Sequence, residues 1–362
     1  MDRPRLDPLT FGLPVERLRD GWYSDAYLTL ARTLLHDSGR HPRVLMQVFQ
    51  KHASKLGGID EAIAMLRLGA GHRDGDGRWI DGWPALSVHA LFEGDAIEPH
   101  ETVLTIEGDY GLFAHLETTY LGSLARRTLI MRNVTEVVAA AAGKPILYFP
   151  ARHDHWQVQT GDGWAAHVAG AIGVSTDAQA SWWGGRGVGT VPHALIAAFG
   201  GDTVAAAEAV AARFAGEVNI TVLVDFDNDS VATSLAVADA LGDALWGVRL
   251  DTSERLVDRA LADDDAPLQQ RRGVTPELVR RVREALDAGG HEHVRIAVSG
   301  GFDAQRIRRF EAERAPVDVY GVGSALVRGE NDFTADVVRV DGRPCAKVGR
   351  ELWPSPRLER VA

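Results

Sequence analysis

Val294-Arg295-Ile296-Ala297-Val298-Ser299-Gly300-Gly301, then a helical run over Ala304–Ala312, then Val317-Asp318-Val319-Tyr320-Gly321-Val322-Gly323-Ser324: this stretch decides the fold. Both apolar runs have the length of a buried strand, both end in serine or glycine, and each glycine turn opens into a helix. That order describes parallel strands joined by a crossover helix. The same text recurs upstream. Ile146-Leu147-Tyr148-Phe149, Asn219-Ile220-Thr221-Val222-Leu223-Val224-Asp225 and Gly247-Val248-Arg249-Leu250-Asp251 read as strands, with helices over 134–142, 165–171, Thr203–Phe214, 232–241 and Pro276–Ala288. The fold class is therefore α/β, a barrel over 126–328 that is either closed or incomplete. Strands of such a barrel converge at their carboxyl ends, where functional residues gather.

Working outward, the first third is of another kind. Val44-Leu45-Met46-Gln47-Val48-Phe49-Gln50, Leu86 to Phe92 and Thr102 to Gly108 are strand-like, with alternation broken by Gly and Asp, and Ile59-Asp60-Glu61-Ala62 starts a short amphipathic helix. A further helix follows Asp25 and runs through Leu35, carrying Tyr27 as a core aromatic or a stacking platform. Beyond the barrel, Val337-Val338-Arg339-Val340 and Cys345-Ala346-Lys347-Val348 return to strand-like alternation. Residues 1–125 and 329–362 are thus expected to form one mixed α+β domain, the tail completing its sheet.

Composition narrows the partners. The chain has 362 residues, 45% hydrophobic and 25% charged, and a net charge of −11. That charge opposes nonspecific binding to nucleic acid or an anionic membrane, and no apolar run reaches the length of a membrane span. The first residues lack the apolar core of a signal peptide and Cys345 is the one cysteine, so a cytoplasmic protein without disulfides is expected. An anionic substrate must then be held by a local cluster of donors.

Such donors sit at the strand ends. Ser299-Gly300-Gly301 and Gly321-Val322-Gly323-Ser324 are turns whose amides can cradle phosphate. Arg249 and Asp251, two apart on a strand, share one side, and an arginine inside a barrel favours a phosphate or carboxylate contact over a structural ion pair. Asp225, Asp227 and Asp229 alternate after a strand; Asp225 and Asp227 are candidates for Mg²⁺. Gly189-Thr190-Val191-Pro192-His193 places an imidazole at a helix start, where it either caps and packs or meets an anion. Arg152-His153-Asp154-His155 suits anion binding by Arg152 better than a metal, because spacing supplies no third ligand. The run Trp182-Trp183-Gly184-Gly185-Arg186-Gly187-Val188 reads as a mobile loop, or as a connection over packed tryptophans.

In their shared order, Asp25-Ala26-Tyr27, Glu117 with Thr128, the Arg152 segment, Gly189 to His193, Val224-Asp225, Gly247 to Asp251 and the two glycine turns resemble the nicotinate phosphoribosyltransferase family, among the type II phosphoribosyltransferases. The resemblance runs from about Tyr23 to Leu326. It implies that nicotinate is joined to phosphoribosyl pyrophosphate, giving nicotinate mononucleotide and pyrophosphate in NAD salvage, with Mg²⁺ as cofactor and ATP as a co-substrate spent through a phosphohistidine. It assigns catalysis to His193, Asp225, Arg249 and Asp251. Substrate binding falls to Tyr27, Thr128, Arg152, Thr190, Ser299, Gly300, Gly301, Gly321, Gly323 and Ser324, with Tyr27 stacking on the pyridine from the neighbouring subunit of a homodimer. Thr252-Ser253-Glu254 departs from the Ser-Gly-Asp of many relatives, and no cysteine-rich tail is present. The alternatives are a quinolinate or nicotinamide phosphoribosyltransferase and a noncatalytic sugar-phosphate binder.

Overall fold

In the computed structural model, which describes residues 3–362, the chain divides into two compact units, 3–132 with 329–362 and 133–328. The sequence reading puts the first boundary at 125/126. It lies instead inside one unbroken helix, Glu117–Ala140, because the only glycine in its first half, Gly122, has open space where a side chain would go and forces no turn. Among the described residues, no helix is long and apolar enough to cross a membrane.

The first unit is built on an antiparallel sheet. Arg43–Phe49 lies between Thr334–Val340 and Leu104–Asp109, and Ser87–Ala90 follows on the far side of Leu104–Asp109. The tail reaches both edges, since Arg343–Pro344 pairs with Thr334–Val340 and Glu359–Arg360 with Ser87–Ala90. Alternation on Leu104–Asp109 buries Leu104, Ile106 and Gly108 on one face. Against it pack Ile59, Leu66, Leu116, Tyr120 and Leu124, from the helix Ile59–Gly69 and from the segment that enters Glu117–Ala140. Cys345-Ala346-Lys347-Val348 is not a strand: after Pro344 one further amide bond, from Cys345 to the Val338 carbonyl at 3.1 Å, ends the ladder, and the segment is exposed, Val348 almost completely.

The second unit is the barrel. Its strands and helices are labelled in chain order: β1 (Ile146–Tyr148), α1 (Gln159–Val168), β2 (Gly173–Val174), α2 (His193–Ala198), α3 (Thr203–Phe214), β3 (Ile220–Leu223), α4 (Ser230–Leu241), β4 (Leu245–Leu250), α5 (Pro276–Ala288), β5 (Arg295–Val298), α6 (Ala304–Ala312) and β6 (Val319–Val322). All pairings are parallel, in the order β3, β4, β5, β6, β1, β2. Strands β3 and β6 are buried at every position, as a sheet covered on both faces requires. The helices read cleanly: Thr275 caps α5 and its buried stripe is Leu278, Val279, Val282 and Leu286, while Asp303 caps α6 over Ile307 and Phe310.

The two outer strands do not pair with each other. Residues 188–191 lie between them instead: the Val188 amide donates to Val174 at 2.7 Å, and the Val191 amide to Thr221 at 2.8 Å beside a Val191–Val222 bridge. One short segment therefore closes the ring.

Candidate active site

Strand β4 supplies the first group. Arg249 and Asp251 emerge on the same side, and the Ser299 hydroxyl past the end of β5 ties them together. It accepts from Arg249 Nε at 2.7 Å and donates to Asp251 Oδ1 at 2.7 Å. The direct Arg249–Asp251 contact is long, 3.5 Å, as is the one from Arg249 Nη1 to Thr190 Oγ1, 3.4 Å. The Arg249 guanidinium is half-buried and stands 5.2 Å over the Phe149 ring. Burial pushes its pKa down, against the opposing pull of Asp251 and Asp225. A desolvated cation whose carboxylate partners are held at arm's length is arranged to receive a further anion.

The closing segment supplies the second group. Thr190 sits in it and His193 is the first residue of α2, just after Pro192. His193 Nε2 lies 2.9 Å from Oδ1 of Asp225, a nearly buried carboxylate that follows β3. This hydrogen bond raises the imidazole pKa; partial burial and the charge of Arg249 act the other way, and Asp251 adds to the rise. With Nε2 engaged by a carboxylate, the neutral ring carries its free lone pair on Nδ1. His193, Asp225, Arg249 and Asp251 thus share one electrostatic neighbourhood at the carboxyl ends of neighbouring strands.

The glycine turns occupy the next strand ends. Gly300 and Gly301 have φ of +87° and +72°, and a Cβ on Gly300 would stand 3.0 Å from Asp251 Oδ1. A Cβ on Gly321 would meet the Phe149 ring at 2.9 Å, and one on Gly323 would meet His153 at 2.9 Å. Only glycine lets Phe149 and His153 approach so closely. Phe149 does not stand out in sequence, where it is merely the last letter of an apolar run, and His153 is noted there only as a weak metal candidate. The signal was indirect, in the glycines opposite.

The remaining residues divide. Arg152 is exposed, and its charge reaches Arg249 and His153, lowering both. Ser324 Oγ accepts from Arg328 at 3.2 Å. Asp229 caps α4 and pairs with Arg259, and Asp227 is exposed, so the three alternating aspartates diverge; among the described residues no three His, Cys, Asp or Glu side chains form a metal cluster. Thr128 belongs to the first unit, where it is buried and its hydroxyl is spent on Gly57, accepting at 3.0 Å and donating at 3.2 Å. Tyr27, also in the first unit, is 63% exposed on the helix Ala26–Asp37. The tryptophan run is anchored: Trp183 stacks on His167 at 4.3 Å, and the Gly187 amide donates to Asp177 at 2.9 Å.

A cavity of about 1220 Å³ extends from Phe149, Thr190 and Arg249 down to Pro145, Leu245 and Arg295 at the amino ends of the strands. His193, Asp225, Asp251 and Ser299 stand outside its lining, on the rim.

Residues 28–128 match the family model described as quinolinate phosphoribosyl transferase, N-terminal domain. The nicotinate-nucleotide pyrophosphorylase of Pyrococcus furiosus is 30% identical in sequence and superposes with a TM-score of 0.77 over 96% of this chain and 84% of its own. The chain belongs to the nicotinate phosphoribosyltransferase family. Within that family, nicotinate phosphoribosyltransferase pncB1 of Mycobacterium tuberculosis is 33% identical over 268 residues, which is 72% of this chain and 55% of the relative. The chain thus spans about half the length of the curated relatives it matches. Human nicotinic acid phosphoribosyltransferase, 19% identical with a TM-score of 0.65 over 89% of this chain and 76% of its own, shares the fold.

Proposed function

We propose that the protein is a nicotinate phosphoribosyltransferase acting in NAD salvage. The observation that supports this most directly is the Arg249–Ser299–Asp251 group beside an all-glycine turn, with the His193–Asp225 pair on the same rim. In the reaction the bond from the ribose anomeric carbon to pyrophosphate breaks while the pyridine nitrogen forms the new bond with its own lone pair. No general base is needed. Positive charge builds on the ribose and negative charge on the leaving group, so the work lies in holding phosphates and aligning the base. Arg249 and the turn amides supply fixed positive charge to the phosphates, Asp251 faces the ribose, and Arg152 meets the nicotinate carboxylate.

ATP coupling is part of the proposal. Nδ1 of His193 takes the terminal phosphoryl group of ATP, the bond to ADP breaking as the N–P bond forms, and Asp225 holds the ring and stabilises its charge. Magnesium fits these donors, since so hard a cation is met by one or two carboxylates together with substrate phosphates and water; Asp225, with Asp227 nearby in the chain, would hold it and it would neutralise pyrophosphate. The proposal extends to a homodimer in which Tyr27 stacks on the partner's pyridine.

Incubation with phosphoribosyl pyrophosphate and Mg²⁺ plus nicotinate, nicotinamide or quinolinate, each with and without ATP, tests the reading. Nicotinate mononucleotide from nicotinate, increased by ATP, is the expected product. No mononucleotide in any arm would defeat the enzyme. A second reading, quinolinate as substrate, is favoured by the family model over residues 28–128 and would show as product with release of carbon dioxide in the quinolinate arm alone.

A further inference from the structure

The turn after β5 contains a peptide unit that has two easy orientations and one lock. Gly300 and Gly301 both lie at positive φ, where glycine meets no steric penalty, so the peptide plane between them is free to rotate at little cost. The peptide is trans, which makes its N–H antiparallel to its C=O. Whatever holds the Gly300 carbonyl therefore aims the Gly301 amide in the opposite direction.

Arg306, on the first turn of α6, holds it. Its Nη1 donates to the Gly300 carbonyl and its Nη2 to the Val274 carbonyl at 2.6 Å, and the guanidinium lies 4.2 Å over the Phe302 ring. Both carbonyl contacts come from one rigid, planar fork. Burial pushes its pKa down, against the pull of Asp303 and Glu254. Its positive charge lies beside the turn, 3.6 Å from where a Gly301 Cβ would stand.

We infer that Arg306 is the positioning residue of the phosphate turn: by latching the Gly300 carbonyl it fixes the Gly301 amide as a donor to a phosphate group of the substrate. The inference rests on the phosphoribosyl reading above. Arg306 does not touch the substrate; it removes the wrong orientation of one peptide before the substrate arrives, so the cost of ordering that donor is not charged to binding.

Arg306→Met and Arg306→Lys test it, with the full chain. For the Met variant, KM for phosphoribosyl pyrophosphate is expected to rise on the order of tenfold, the usual effect of losing one charge-assisted contact, and affinity for inorganic pyrophosphate, measured by calorimetry, to fall in parallel. KM for the base stays as in the wild type. Lysine keeps the charge but cannot span both carbonyls, so it restores only part of the loss and separates geometry from charge. Folded variants with wild-type KM and pyrophosphate affinity would overturn the inference alone, and so would a fall in kcat and Tm at unchanged KM. If the Met variant does not fold, full recovery in the Lys variant counts against the fork. A wild-type protein that neither binds pyrophosphate nor consumes phosphoribosyl pyrophosphate overturns the phosphoribosyl reading and this inference with it.

Discussion

His193 sets a pH window through its bond to Asp225. Its pKa is raised above the ordinary 6.5, so below that raised value the ring is an imidazolium with no lone pair to accept a phosphoryl group. Label transfer from ATP to the protein should therefore have an acid limb centred above pH 6.5, lost as pH falls. Asp225→Asn removes the cause and should move the limb down; a limb that stays in place would mean another group titrates. Arg249→Met should cut kcat/KM for phosphoribosyl pyrophosphate by about 10²- to 10³-fold in steady-state assays, the range for losing a preorganised charge at a reacting anion. Residues of this kind were legible, because a polar letter two positions from another on an apolar strand has a fixed side. Phe149 was not: its role depends on Gly321 from a different strand, and no spacing along the chain encodes that approach.

At the scale of elements, the helix Ile59–Gly69 begins over a carboxylate from elsewhere. Glu93 accepts from the amides of Gly58 at 2.7 Å and Ile59 at 3.0 Å, yet burial first and Asp60 second raise its pKa to about 8. The folded protein thus binds a proton that the unfolded chain has released above about pH 4.5, so this group's contribution to stability is full below that pH and declines as pH rises through about 8. Glu117, raised to about 7 mainly by burial, acts in the same direction. Denaturant unfolding between pH 5 and 8 should show the decline, and Glu93→Gln should make it shallower while leaving the part due to Glu117; an unchanged slope would remove Glu93 from the account. Elements with their own caps and periodicity, α5 and α6 above all, could be read from sequence to the residue. Cys345 to Val348 misled because alternation says nothing about where pairing with the neighbouring strand ends.

For the whole molecule, the proposed dimer makes a complementation prediction. Tyr27→Ala and His193→Ala should each lose ATP-stimulated synthesis, but co-expressed chains should regain it, since a mixed dimer holds one site with both residues intact; no recovery in purified mixed dimers would refute shared sites. The barrel itself was legible from the repeated order of strand, turn and helix, whereas its closure was not. Nothing in the glycine-rich text before Thr190 announces a strand, because the segment there makes a single amide bond to each neighbour. Those two bonds, from Val188 and Val191, bracket Thr190 and lie just before His193. The seam of the barrel and its proposed phosphoryl acceptor are one piece of chain. Deleting one residue between 188 and 191 should therefore disturb the closure of the barrel and the placement of His193 together. Amide exchange at Val188 and Val191 would accordingly read out catalytic competence before any substrate is added.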